Sequence, residues 1–340
     1  MKVLFIGGTK RGYLALKALL DKKINVVGVI SLLQEDHEYE RYEDPIRTLA
    51  RQFQIPCYET KVVKEEDFVP LLTRQVKPDV AFVVGCRHIL PKSVYQIPPL
   101  GTLAIHDSLL PEYRGFAPVN WVVLNQEDHT GVTVFYVGEG FDEGDILLQK
   151  KVLIGPDDTA NGVYDRVCQV TVELILDAYS LISKKAVTRA SQDHKKATYT
   201  CSRNPGDGFI DWEDSTVSIY AQIRALTYPY PGAYTFYEEK KIIIWNGKPL
   251  MEPPKYVGRI PGRIVEISQS EGYVDVLTGD GILRVFEIGS EDGSRVPAAS
   301  IVQSVRKSFG ITVNDLMERI RQLEGKLVRL EEASRNELFS

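Results

Sequence analysis

A doubly wound α/β domain, followed by a smaller β-rich domain and a terminal helix, is the architecture that this 340-residue sequence predicts. Three observations lead there. Short apolar runs alternate with helical segments through the first half, which implies parallel strands joined by right-handed crossovers. A helix, a Pro-Tyr-Pro-Gly turn and then short strand-like segments follow between residues 210 and 288. The last stretch carries an apolar repeat with spacings of three and four.

Residues 2–6 form a first apolar strand that runs into Gly7-Gly8, and Ala15, Leu16, Ala18, Leu19 and Leu20 follow with helical spacing. Residues 25–30 are the next strand, and residues 44–53 read as a helix after it. Residues 79–84 (DVAFVV) and 101–105 are further buried strands. In residues 160–184, Val163, Val167, Val170, Leu174 and Leu181 recur at helical intervals and close the first domain. These segments divide the chain into residues 1–200, residues 201–297 as the small β-rich domain, and a helical tail over residues 298–340. In the tail Val313, Leu316, Ile320, Leu323, Leu327 and Leu330 make a heptad seam. It reads equally as one amphipathic helix packed on its own domain or as a partner helix in a homodimer.

Composition narrows the classes. No run approaches the ~20 apolar residues of a membrane span. The N-terminus MKVLFIGGTKRG is a strand and turn rather than a signal peptide, since charges follow a very short apolar run. Cys57, Cys86, Cys168 and Cys201 lack metal-like spacing and read as reduced thiols of a cytoplasmic protein. The formal net charge is −5, and the loop after the second strand, LLQEDHEYERYEDP, is mostly acidic. Both argue against a nucleic-acid partner, because phosphate neutralisation needs a basic face. Gly7, Gly8 and Gly12 do not match the GxGxxG spacing, so GGTKRG reads as a strand-to-helix turn. Thr9, Lys10 and Arg11 in that turn remain candidate ligand contacts at the sheet's carboxyl edge.

The most specific signal lies between residues 101 and 145. It reads GTLAIHDSLLPEYRGFAPVNW and then GVTVFYVGEGFDEGDIL. A strand-like segment delivers His106 at its carboxyl end, where open α/β sheets keep their chemistry. Pro111 and Arg114-Gly115 then turn the chain. An isolated histidine is more often structural than catalytic, and an acid such as Asp145 can be a simple loop or capping residue. His37, His88, His129 and His194 have no such context and read as surface or structural.

The run from His106 to Pro111, with Tyr113-Arg114-Gly115, Ala117-Pro118, Gly131-Val132-Thr133 and the closing Asp142-Glu143-Gly144-Asp145-Ile146, resembles the 10-formyltetrahydrofolate-dependent formyltransferase family. That family includes the methionyl-tRNA, glycinamide ribonucleotide and nucleotide-sugar formyltransferases. Asp211-Trp212, Ile223-Arg224-Ala225 and Pro229-Tyr230-Pro231-Gly232-Ala233 resemble its small C-terminal domain. The resemblance implies a Rossmann-like catalytic domain, 10-formyltetrahydrofolate as formyl donor and no metal. It makes His106 and Asp145 the catalytic pair. It places the donor against Arg87, His88, Ile89 and Leu90 and against the loop holding Gly138, Phe141, Asp142, Gly144 and Asp145. Acceptor contacts are expected at Thr9, Lys10, Ser108 and Arg114, whose guanidinium suits a phosphate.

One position departs from the pattern. Where the family has an asparagine that stabilises the charged intermediate, this chain has Ala104. A methyl group donates no hydrogen bond, and losing one such donor costs on the order of 10²- to 10³-fold in rate. The intact remainder favours an engineered substitution in an otherwise ordinary enzyme over a homologue that has lost its chemistry. The expected activity is transfer of a formyl group to the amine of a nucleotide-linked, preferably dTDP-linked, amino sugar in bacterial surface-polysaccharide (O-antigen) assembly. Methionyl-tRNA formylation and a catalytically silent folate or nucleotide-sugar binding protein are the alternatives.

Overall fold

In the first compact unit a strand order of 3-2-1-4-5-7-8 builds one seven-stranded sheet. The computed structural model describes residues 1–34, 41–290, 293–311 and 313–338, so most of the acidic loop after the second strand, with His37, lies outside the described residues. Strands β1 (Val3–Gly7), β2 (Val26–Leu32), β3 (Cys57–Thr60), β4 (Val80–Val84) and β5 (Thr102–His106) pair in parallel. Every residue of β1 and β4 is buried, as expected for strands covered on both faces.

Helices α1 (Thr9–Asp21), α2 (Glu43–Gln52), α3 (Glu65–Leu71) and α4 (Lys92–Tyr95) connect these strands. One face of the sheet presents Leu4, Ile6, Ile30 and Val83 to Phe68, Leu72, Val94 and Tyr95. The alternate side chains Phe5 and Phe82 point the other way and are fully buried. There α1 packs on β1 and β4 and against α6 (Ala160–Ser183), whose first turn is capped by the Thr159 hydroxyl accepting from the Gly162 amide at 3.2 Å.

Parallel pairing does not hold to the end of the sheet. Strand β6 (Arg114–Gly115) and helix α5 (Pro118–Leu124) follow β5, and then β7 (His129–Tyr136) runs antiparallel to it. Strand β8 (Ile146–Leu153) returns antiparallel to β7, because the short loop between them contains no helix and can only make a hairpin. Strand β9 (Tyr199–Thr200) pairs with β6 in a separate two-stranded sheet. By its contacts this unit holds residues 1–207 and also residues 224–230. Those last residues are tied in by the Asn120 side chain donating to the Ala225 carbonyl at 2.8 Å and by Arg224 donating to the Asp158 carbonyl at 2.8 Å.

The second unit, residues 208–223 and 231–340, is antiparallel. After α7 (Thr216–Leu226) come β10 (Ala233–Tyr237), β11 (Lys240–Pro249), β12 (Ile264–Ser268), β13 (Tyr273–Leu277), β14 (Ile282–Gly289) and β15 (Arg295–Pro297). The path is 10-11-14-13-12, with β15 on β14. Trp212 anchors this unit by donating to the Thr235 hydroxyl at 2.9 Å and packing on Phe309. Arg284 on β14 makes two 2.8 Å bonds to Asp275 on β13. Helices α8 (Ala298–Ile301) and α9 (Val313–Leu338) complete it. Among the described residues no helix is long and apolar enough to cross a membrane.

The core placement has a measurable consequence. Phe82→Ala is expected to cost about 3–5 kcal/mol in urea unfolding of the first unit, because a buried ring leaves a cavity. Leu153→Ala, 70% exposed on β8, should change stability by no more than about 0.5 kcal/mol. Equal midpoint shifts for the two variants would contradict this assignment of the core.

Candidate active site

The last residue of β5, His106, sits at the carboxyl edge of the sheet and is buried. Its Nε2 lies 2.8 Å from the Tyr113 carbonyl oxygen. A carbonyl can only accept, so Nε2 carries the hydrogen and donates, and the lone pair of the neutral ring falls on Nδ1. Nδ1 faces Oδ2 of Asp142 at 3.5 Å. The same carboxylate oxygen accepts a 3.0 Å hydrogen bond from the Gly115 amide.

Burial pushes the His106 pKa below its ordinary 6.5, while the Asp142 carboxylate and the Tyr113 carbonyl pull it back up. Arg11 of α1, buried beside the site in an ion pair with Asp107, adds to the downward push. The ring is therefore a neutral base at pH 7, with a carboxylate placed to stabilise the imidazolium once Nδ1 takes a proton.

A second layer of buried polar contacts holds Asp142 in place. Its φ of 53° is left-handed, a conformation that needs external support in a non-glycine residue. Gln192 supplies it, donating from Nε2 to the carbonyls of Asp142 at 2.9 Å and Gly144 at 2.8 Å. Its amide oxygen accepts from Arg114 Nη2 at 2.6 Å and Nε at 3.2 Å. Arg114 also donates to the Tyr199 hydroxyl at 3.2 Å and is 1% exposed. Two glycines make the close approach possible. A Cβ on Gly115 would lie 2.5 Å from the Thr200 carbonyl oxygen, and one on Gly144 would lie 1.7 Å from that of Tyr136.

Several sequence expectations change here. The turn brings Asp142, not Asp145, to face His106; the Asp145 carboxylate instead accepts from the Ser191 hydroxyl at 2.9 Å. Spacing within Asp-Glu-Gly-Asp could not tell the two acids apart, because the left-handed residue at 142 decides which side chain turns inward. Arg114 is not offered to a phosphate, since its guanidinium is buried and its donors are taken by Gln192 and Tyr199. Ser108 is likewise buried, its hydroxyl donating to the Glu112 carbonyl at 2.6 Å while its own carbonyl accepts from Thr133 at 2.6 Å. Lys10 is paired with Asp165 on α6 at 2.7 Å, and Thr9, at φ 64°, lies 3.5 Å from the Tyr164 hydroxyl.

The two segments expected to hold the donor lie side by side, joined by an ion pair between Lys92 and Glu139. Arg87 and His88 are exposed and Ile89 is 62% exposed, whereas Leu90 belongs to the core under the sheet. The Cys86 thiol contacts the His88 carbonyl at 3.2 Å. In the other loop Gly138, Phe141, Asp142 and Gly144 are partly buried, and the Phe141 ring packs on Phe116 at 5.4 Å between centroids. Ala104 pairs with Val83 and Phe135 and shares the face of β5 with His106 two residues on. Of the remaining histidines, His129 pairs with Asp128, and His194 places Nδ1 3.4 Å from Arg114. Among the described residues no three His, Cys, Asp or Glu side chains come together as a metal site would need.

The profile of the formyl transferase family matches residues 1–179, more than half of the chain, and that of the formyl transferase C-terminal domain matches residues 203–306. The chain belongs to the formyl transferase family. Methionyl-tRNA formyltransferase of Clostridioides difficile is 32% identical over 317 residues, covering 92% of this chain and 100% of that protein. Among solved structures, the N-formyltransferase of Helicobacter canadensis, crystallised with folinic acid and dTDP-3-aminofucose, superposes with a TM-score of 0.64 at 18% identity over 84% of this chain and 98% of the other. HypX of Aquifex aeolicus in complex with tetrahydrofolic acid gives 0.60 at 18% identity over 90% of this chain, which spans about half, 47%, of HypX. Folate-dependent formyl transfer, with 10-formyltetrahydrofolate as donor, is this family's chemistry.

For a formyl transferase site, sequence reasoning misses Gln192 and the Tyr113 carbonyl, and it offers Arg11 to a ligand where the fold pairs it with Asp107. Gln192 sits in the polar stretch RASQDHKKATYT, which has no periodicity to mark a buried residue. The arrangement sets two expectations. The acid limb of the pH profile of kcat/KM should fall below pH 6.5, and Asp142→Asn, which removes the carboxylate that raises the His106 pKa, should move it lower still and reduce kcat at least tenfold. The fold itself should lose stability as pH drops below 6.5, because the unfolded histidine binds its proton first. An acid limb above 6.5, or one moving upward in the variant, would contradict the assigned electrostatics. Gln192→Leu should lower kcat about tenfold or more and shift the His106 titration, followed by NMR, downward. An unchanged titration would mean that Asp142 keeps its place without the bridge.

Proposed function

We propose that this formyl transferase moves the formyl group of 10-formyltetrahydrofolate to the amine of a nucleotide-linked amino sugar, with a dTDP-linked deoxy sugar favoured. The neutral amine attacks the formyl carbon and a carbon–nitrogen bond forms. Nδ1 of His106 takes the proton released by the amine, and Asp142 stabilises the resulting imidazolium. The bond from the formyl carbon to N10 then breaks, and N10 receives a proton as tetrahydrofolate leaves. Ala104 offers no donor to the oxyanion formed in between, so the chain as written works well below the rate open to this site.

The observation that carries the choice of acceptor is the state of the cations around the sheet's carboxyl edge. Lys10 is paired with Asp165, Arg11 with Asp107, Arg47 with Glu59 and Asp44, and Lys92 with Glu139. Arg114 is buried. A polyanion such as tRNA draws its affinity from many unpaired cations, whereas a nucleoside diphosphate needs only one or two. Methionyl-tRNA formylation is the second reading, favoured by the 32% identity to the Clostridioides difficile enzyme along its whole length.

One experiment separates these readings. Formyl transfer is measured for the chain and for Ala104→Asn, with dTDP-linked amino sugars and with initiator methionyl-tRNA as acceptors. The expected result is a rate on the amino sugar at least tenfold higher in Ala104→Asn, with folate affinity little changed. Faster transfer to tRNA, with a steep salt dependence, would establish the second reading. No transfer to either acceptor by Ala104→Asn, despite folate binding, would make the protein a silent binder.

A further inference from the structure

Helix α9 lies beyond residue 306, where the match to the family's C-terminal domain ends. It has 26 residues, about 39 Å at 1.5 Å per residue. It also presents an apolar stripe to solvent. Leu316, Met317, Ile320, Leu323, Leu327 and Leu330 are each between 47% and 68% exposed. Monomeric proteins seldom leave such a stripe uncovered. The expectation that it packs on its own domain is not met at these positions. Among the described residues one ion pair of the helix ties Arg319, in its first turns, to Glu239 at 3.8 Å.

The charges beside the stripe say what fits it. In heptad terms Ile320 and Leu327 occupy a positions, and Leu316, Leu323 and Leu330 occupy d. Val313 extends the a positions in sequence, its side chain lying outside the described residues. The flanking g positions are Arg319 and Lys326, both basic, and the e positions that follow them are Glu324 and Glu331, both acidic; Glu331 too enters by sequence position alone. In a parallel, in-register pair each g residue faces the e residue of the next heptad on the other helix. Arg319 then meets the partner subunit's Glu324, and Lys326 meets the partner subunit's Glu331. In an antiparallel pair g faces g and e faces e, so the basic residues oppose one another and the acids do likewise. Ile320 at an a position with leucine at every d position leans the same way, toward two strands.

We infer that the exposed face of α9 is covered by the α9 of a second copy of this chain, in a parallel two-stranded coiled coil. None of these residues belongs to the unit that holds His106 and Asp142. The helix therefore acts as a joining element appended to a formyl transferase.

Sedimentation of the full-length chain should give a dimer. Ile320→Glu with Leu327→Glu should halve the mass while leaving formyl transfer unchanged. Orientation is read separately. Leu330→Cys, made with Cys201→Ser because Cys201 is exposed, should form an intersubunit disulfide with oxidised glutathione, since residue 330 meets its own copy only in the parallel arrangement. Glu324→Lys with Glu331→Lys should weaken self-association, and mixing that variant with Arg319→Glu, Lys326→Glu should restore a mixed dimer. A monomeric full-length chain, a dimer that survives Ile320→Glu with Leu327→Glu, or a dimer without the 330 cross-link would each overturn the inference.

Discussion

The hydrogen bonds that Gln192 donates to the carbonyls of Asp142 and Gly144 are the interaction on which the site depends. Asp142 has a left-handed backbone, which costs about 1–3 kcal/mol and persists only where its surroundings over-determine it. Gln192 fixes the two carbonyls, Arg114 fixes Gln192, and the Gly115 amide fixes the carboxylate. Each group is buried or partly buried, so each bond lost would leave a polar atom unsatisfied in a poorly solvated place. The turn is therefore rigid without having regular secondary structure. That rigidity keeps a carboxylate at 3.5 Å from Nδ1 rather than swinging into solvent.

The sheet and the site differ in how far the sequence exposes them. The strands β1, β2, β4 and β5 are legible because burial on both faces selects mostly apolar residues over a short, turn-bounded run. The hairpin of β7 and β8 is less so. Its second strand, ILLQKKVL, has exposed residues at Gln149, Lys150 and Lys151 and carries the polar content of an edge strand. His106 is legible because a motif surrounds it. The acid that faces it is not, since Asp142 and Asp145 in one turn differ only in backbone conformation, which composition does not reveal.

Arg114 illustrates a different limit. An arginine in a Tyr-Arg-Gly turn invites a reading as an anion contact, because guanidinium groups suit phosphates. Here the same planar fork is turned inward, and its donors serve a neutral amide and a phenol. Nothing local distinguishes the two uses. The deciding partner is 78 residues away in sequence, in a segment with no repeat and no apolar pattern. Long-range polar contacts of this kind escape periodicity, which reports only on apolar faces.

Burial also sets the balance of charge around the histidine. Desolvation and Arg11 both oppose an imidazolium, while Asp142 and the Tyr113 carbonyl favour one. Had burial acted alone, the ring would be a weak base; had Asp142 acted in water, its pull at 3.5 Å would be mostly screened. Together they keep Nδ1 unprotonated at neutral pH and still leave an imidazolium facing a carboxylate that stabilises it. Arg11 does not add a second free charge, because it enters the interior already paired with Asp107. A buried pair of this kind contributes little net stability, since desolvation offsets most of the attraction. Its place beside the ring is what lets Arg11 add to the downward push of burial on the His106 pKa.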